Sequence, residues 1–277
     1  MSGLLIRKLY VDSRFKTADS TSNSDFKFQL PRPAFMPADS TFVVDEINIP
    51  YSWNTIEKDV NDQMYVGWTV PATGYLVYNT LVIPPKRYDG AGLASQIQTL
   101  LSTIGGGSAS WTSTYDYTLN NITISSANPT FKIFSDNDLK ILPTSGYTNA
   151  VRQDPRSINE ILQIEGVATV AFNNNPTTPF TTGFLNLLNY QDLYITSANM
   201  GSFDSQGPRG ESTIIRKICV NSDWGFSIID KLSWRSDVMS CSKLSLSTID
   251  FQLRDVKGRI VPLHGAHMSF VIKFGVD

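Results

Sequence analysis

Only two histidines and two cysteines occur among the 277 residues, and this scarcity removes most routes by which side chains perform chemistry. A Ser-His-Asp or Cys-His arrangement would have to use His264 or His267, which stand together in PLHGAHMSF. Their HxxH spacing invites a metal. Along a strand, however, an offset of three sends side chains to opposite faces, and the third and fourth ligands are missing. The pair reads as a structural turn around Gly265. The cysteines, Cys219 and Cys241, lie on separate strand-like segments without CxxC spacing, which reads as reduced thiols of an intracellularly assembled protein, with a disulfide as the open alternative. The sequon at Asn121 is then expected to be unused.

Charge is scarce too. Charged residues make up 17% of the chain, and 23 Lys and Arg against 25 Asp and Glu give a net charge of -2, so no general field draws in nucleic acid or anionic membrane. A local excess exists only at the amino end, where Arg7, Lys8, Arg14 and Lys16 outnumber Asp12; an ordinary solvated arm is the simpler reading. Long apolar runs are absent. No window approaches the roughly 18 apolar residues of a membrane span, and the opening MSGLLIRKLY lacks the apolar stretch of a cleavable leader.

Recognisable catalytic patterns are missing as well. There is no Gly-x-x-x-x-Gly-Lys-Ser/Thr loop, and GGGS at 105–108 follows a helical pattern instead of opening one, so it reads as a helix stop. Asp136-Asn137-Asp138 begins like a calcium loop, but Lys140 occupies a ligand position and no glycine follows, which leaves a turn. Asp45 and Glu46, neighbours on a strand, face opposite ways and make poor glycosidase machinery. A chain with a real core and no such constellation reads as a binding or structural protein, not an enzyme, and no cofactor is expected.

What is present is strand pattern. FKFQL places Phe26, Phe28 and Leu30 on one face, TFVVDEINIP follows, and WTV and YLVYNTLVIP continue the series up to Pro84 and Pro85. The period changes once. In RYDGAGLASQIQTLLSTIGGG, Leu93, Ile97, Leu100, Leu101 and Ile104 form the apolar stripe of a helix. YDYTLNNITIS reads as a hairpin turning near Asn120-Asn121, FKIF as a short strand, and SINEIL as a short helix with Ser157 and Glu160 at capping-box spacing. Beyond the Asn-rich loop FNNNPTTPFTTG, LYITS, STIIRKICV, GFSIIDKLSW, SLSTIDFQLRD and MSFVIKFGV give a second strand series. In the last of these, Met268, Phe270, Ile272, Phe274 and Val276 face one way. Strands at both chain ends enclosing helix-containing material predict one β-sandwich with an insert. The predicted division is 1–25 as an N-terminal arm, 26–83 and 165–277 as sandwich, and 84–164 as insertion domain.

Several segments, in one order, resemble the penton (minor capsid) proteins of Polinton-like viruses, virophages and adintoviruses. These are INIPYSWNTIE, LVIPPKRYDGAGLASQIQTLL, LYITSANMGSFDSQGPRGESTIIRKICV and FQLRDVKGRIVPLHGAHMSFVIKF. The resemblance implies an all-β fold, a single jelly-roll β-sandwich with an inserted domain containing one helix and β-hairpins. It further implies homopentamers at the fivefold vertices of an icosahedral shell. The partners would be further copies of the chain, the double-jelly-roll major capsid protein, and internal capsid proteins or genome through the N-terminal arm. Localisation would be the virion, with assembly inside the host cell. The residues singled out are Pro50, Tyr51, Ser52, Trp53 and Asn54, as a strand end near a subunit contact or, for Trp53, as core. Gly207, Pro208, Arg209 and Gly210 are singled out as a contact loop or an ordinary turn. The competing expectations are a trimeric jelly-roll fibre or receptor-binding head, and a carbohydrate-active β-sandwich enzyme.

Overall fold

In a computed structural model, the structure describes residues 7–69, 76–104, 111–127, 131–141, 156–164, 179–201, 205–231 and 237–276. In chain order the elements begin with β1 (Lys8–Asp12), β2 (Asp25–Phe35), β3 (Ser40–Pro50), β4 (Gln63–Thr69), β5 (Leu76–Val82) and α1 (Gly90–Ile104). Then follow β6 (Trp111–Asp116), β7 (Asn121–Ser126), β8 (Phe131–Ile133), α2 (Asp136–Ile141), α3 (Asn159–Leu162) and β9 (Phe180–Thr181). The last group is β10 (Asp192–Thr196), β11 (Ile214–Cys219), β12 (Ser227–Asp230), β13 (Met239–Ser240), β14 (Ser245–Arg254) and β15 (Ser269–Val276). They fall into two compact units, Met1–Trp53 with Tyr190–Asp277, and Asn54–Asn189.

The first unit is a jelly roll. One sheet has the order β1-β15-β3-β12 and the other β11-β10-β14-β2. β12 pairs with Ile47–Pro50 of β3 and β13 with Thr41–Phe42, so the two share one position in the sheet, on the edge of β3 away from β15. Eight strands in two four-stranded sheets of this order are the jelly-roll winding, so the fold is all-β as expected. Aromatic rings link the two sheets. Phe251 of β14 meets Phe270 of β15 edge to face at 5.0 Å and lies 5.6 Å from Phe26 of β2. Strand β3 fills the core at both ends because its alternation slips once: Phe42 and Val44 point inward, then Ile47 and Ile49. A bulge at Asp45-Glu46 makes the slip, with Glu46 at φ 49 and its amide donating to its neighbour Asp45 at 2.8 Å.

The second unit has its own core. Sheet β5-β4-β8 and sheet β6-β7-β9 are joined by the apolar stripe of α1, whose Leu93, Ile97 and Leu101 are buried as the periodicity predicts. Trp111 stands edge-on to Trp68 at 6.2 Å and to Phe131 at 5.3 Å within that core. Asp89 accepts from the Gly92 amide at 2.7 Å, which satisfies one of the open donors at the start of α1.

Three expectations differ from this arrangement. The units divide at 53/54 and 189/190, not at 83/84 and 164/165, because β4 pairs with β5 on one side and β8 on the other and, among the described residues, neither β4 nor β5 pairs with a strand of the sandwich. Alternation identifies a strand but not the sheet it joins. Residues 1–25 are not a loose arm throughout: β1 pairs along its whole length with β15, and Asn23 donates to the carbonyls of Gly265 and Ala266 at 3.0 and 2.9 Å. Only Val11 of β1 is buried, so its pattern looks like solvated chain. Among the described residues the insert also holds a third helix beside the two that the sequence predicts at α1 and α3. The extra helix α2 covers the Asp136-Asn137-Asp138 segment read as a turn, and it carries a reciprocal capping box in which Ser135 and Asp138 exchange side-chain and amide bonds. At α3 no such box forms; Ser157 donates to Asp136 at 2.5 Å instead. The glycine stop after α1 and most of the Asn-rich loop lie outside the described residues.

Both cysteines are free thiols, with Cys219 exposed and Cys241 buried. Burial pushes the Cys241 thiol up to about 11. Since the thiolate is the reactive form, native protein at neutral pH is expected to take one equivalent of a thiol reagent at Cys219, and unfolded protein two. Equal labelling of both sites in the native state would contradict the burial of Cys241.

Candidate functional site

Pro50, Tyr51, Ser52 and Trp53 close the end of β3 and are held from several sides. The Tyr51 amide donates to the Phe226 carbonyl at 2.9 Å, the Ser52 hydroxyl donates to the Leu263 carbonyl at 2.8 Å, and the Trp224 indole donates to the Trp53 carbonyl at 3.0 Å. Tyr51 stacks on Trp53 at 4.4 Å, and Trp53 meets Tyr190 edge-on at 5.8 Å. Trp53 is fully buried. Of the two readings of this segment, Trp53 takes the core one. Asn54 begins the other unit, where its amide donates to Glu57 at 2.6 Å.

Gly207, Pro208, Arg209 and Gly210 form a tight turn between β10 and β11. The Gly210 amide closes it onto the Gly207 carbonyl at 3.0 Å, and Gly210 sits at φ +85, a conformation that a side chain resists. Pro208, Arg209 and Gly210 are exposed. The turn overhangs a cleft of about 360 Å³ on the outward face of the β10, β11 and β14 sheet, with Tyr194, Thr196, Gln252 and Arg254 beneath it. The Arg209 guanidinium reaches across to the Lys257 carbonyl.

The lateral edges of the sandwich were not singled out by sequence. Strands β1 and β2 end their sheets on one side; β12 and β11 end them on the other. Among the described residues of this unit, the exposed large apolar side chains are Tyr10, Phe15 and Phe35 on or beside the first edge. Trp224, Phe226, Ile229 and Val238 lie on or beside the second, and Val256 stands apart. The signal for Ile229 was present: Ile228 and Ile229 are consecutive, so one of them must face out, and Ile228 is buried.

Charges on these edges are mostly paired. On the β11 and β12 side, Arg216 holds two carboxylates, Asp230 at 2.7 Å and Asp237, so one negative charge is left over beside the exposed Asp223. On the β1 and β2 side, Lys27 and Asp19 pair at 2.6 Å, and the lysine's hydrogen bond lowers the Asp19 carboxyl to about 2. Of the amino-terminal cations, Arg14 is bound by Asp12 at 2.6 Å and Lys16 donates to Asn23 at 2.6 Å, which leaves Arg7 and Lys8 exposed.

The histidines lie in the turn before β15. His264 sits at φ 46 and is exposed, while the Nδ1 of His267 shares a hydrogen bond with the Ser13 hydroxyl at 3.3 Å. Among the described residues, no three His, Cys, Asp or Glu side chains gather as a metal site. No described helix is long and apolar enough to cross a membrane.

No family model matches the chain, and no curated protein matches it. Among solved structures, the crystal structure of selenomethionine-labelled mavirus penton protein is similar over 98% of this chain and 99% of its own, with 9% sequence identity and a TM-score of 0.48. A likeness at this level says nothing about activity or partners.

Proposed function

We propose that the chain is a structural protein of a viral capsid, a penton that fills the fivefold vertices as a homopentamer and contacts the major capsid trimers around it. The observation that carries the self-assembly is the distribution of exposed apolar side chains. Seven of the eight large ones in the described jelly-roll unit stand on its two opposite edges: Tyr10, Phe15 and Phe35 against Trp224, Phe226, Ile229 and Val238. Sheet edges left bare and apolar are liabilities in a monomer. Two different edges on opposite sides fit a head-to-tail contact, which closes into a ring when the rotation permits. Their charges agree with that contact, since the first edge offers exposed Lys8 and Arg32 and the second has excess carboxylate at Arg216. The number five, the virion and the capsid partners rest on the ordered sequence resemblance, whose closing hairpin supplies β14 and β15 at the centre of both sheets.

Light scattering on the purified protein over a range of concentration and salt tests this reading. Five copies of 30.8 kDa give about 154 kDa. Phe226→Asp is expected to reduce that mass to the monomer while leaving the unfolding temperature unchanged, because Phe226 is 68% exposed. A trimer favours the fibre-head reading. A monomer under every condition overturns self-assembly.

A further inference from the structure

We infer that the cleft beneath the Gly207–Gly210 turn is a docking site for a carboxylate-bearing side chain on an extended segment of a partner protein. Its floor is built from the outward face of the sheet. Leu193, Ile195 and Leu253 are fully buried toward the core, so Tyr194, Thr196, Gln252 and Arg254, which alternate with them, face the cleft. A volume of about 360 Å³ stands at the small end of ligand sites, room for a side chain and its flanking backbone.

Arg254 gives the cleft its chemistry. Its Nε and one terminal nitrogen donate to Gln252 Oε1 at 3.0 and 2.6 Å, and the other terminal nitrogen donates to the Gly258 carbonyl. These acceptors are all neutral, so the half-buried guanidinium keeps its full charge and two of its N–H donors. The group is also fixed in place. Gln252 is itself anchored by donating to Asp25 at 3.0 Å, which removes much of the ordering cost that a flexible cation would meet on binding.

The roof adds a second guanidinium, Arg209, clamped on the Lys257 carbonyl. Gly258 makes the clamp possible: it sits at φ +78, and a Cβ there would collide with the Arg209 guanidinium. Of the acidic groups lining the cleft, Asp255 is neutralised by Arg259 at 2.7 Å and by turn amides, whereas Glu211 accepts from the Arg209 amide at 2.9 Å. Glu211 also pairs with the Arg209 guanidinium at 3.9 Å, so the positive charge left uncompensated in the cleft is that of Arg254. One carboxylate balances it; a phosphate dianion would exceed it. Charge-assisted bonds from a fixed arginine fork suit that planar group. At the rim stand Pro208, Ile214 and Val256, the last being, among the described residues of this unit, the one exposed large apolar side chain away from the lateral edges. They offer apolar cover for the neighbouring residues of the segment.

The inference does not depend on ring formation, so the native mass of the protein leaves it untouched. The test is calorimetric titration of the full chain with the capped tetrapeptide Ala-Glu-Val-Ala, its Gln counterpart and inorganic phosphate. The Glu peptide is expected to bind at least about tenfold more tightly than the Gln peptide. Arg254→Gln should erase that difference, and Glu211→Gln, which removes the competing carboxylate, should tighten binding. Arg209→Gln on the exposed turn should weaken the Glu peptide several-fold without altering thermal unfolding, which separates lost recognition from lost fold. Equal binding of both peptides, absence of binding even to Glu211→Gln, or stronger binding of phosphate than of the Glu peptide overturns the inference.

Discussion

Deleting Ser269–Asp277 is expected to leave the jelly roll unable to fold while the inserted unit stays ordered. Strand β15 is not an edge. It lies between β1 and β3, and among the described residues β1 has no other strand beside it, so removing β15 strips β1 of that partner and opens β3 along most of its length. Backbone groups of the ladder lose their acceptors and donors in a place where water replaces them poorly. The deletion also removes Phe270, Val271, Ile272 and Phe274, all buried. At about 1.5–3 kcal/mol for each large side chain, these four match the net stability of about 5–15 kcal/mol that a whole domain possesses. The core around α1 is composed of residues from the inserted unit alone and loses nothing. Hydrogen exchange reads both halves at once: β3 and β14 amides lose protection, whereas those of α1 and β7 keep it. A truncated chain that still protects Val44 and Phe251 would refute the central role of β15.

How much of this was legible in the sequence depends on whether a feature is local. The stripe of α1, the hairpin of β6 and β7 and the inward Phe270, Ile272 and Phe274 of β15 follow from periodicity, because helix and strand geometry fix which neighbours share a face. The boundary of the insert did not, since apolar runs such as those of β4 and β5 read like sandwich strands and only the pairing of β4 with β5 and β8 reveals their sheet. Strand β1 was missed because an edge strand with one buried residue carries almost no amphipathic signal. The bulge in β3 left a trace, the odd step from Val44 to Ile47 in an otherwise even series. Among the candidate residues, Trp53 fell to the core, and the Gly207–Gly210 turn gained a cleft that pairs it with Arg254. No spacing rule joins positions 209 and 254; the winding of the sandwich does.

The second large effect is expected at a single side chain, Phe270→Ala, with a loss of about 3–5 kcal/mol. Phe270 is 2% exposed and pairs across the sheet with Val11, while its ring meets Phe251 edge to face at 5.0 Å and Phe251 continues to Phe26. Truncation to alanine therefore leaves a void at the point where the two sheets touch, and the rings around it are fixed by strands on both sides, so collapse cannot fill it. Thermal unfolding should fall by on the order of 10 °C. Phe270→Leu keeps most of the volume and loses only the ring contact, about 0.5–1.5 kcal/mol with a smaller packing cost. Ser269→Ala, one residue earlier on the opposite face, should stay within about 0.5 kcal/mol. The contrast between adjacent positions is the sensitive readout, because a one-residue slip in the pairing of β15 would exchange their faces and with them the two outcomes. A near-neutral Phe270→Ala beside a damaging Ser269→Ala would place the strand in the wrong register, whereas the expected order fixes the register that seats Phe270 between Val11 and Phe251.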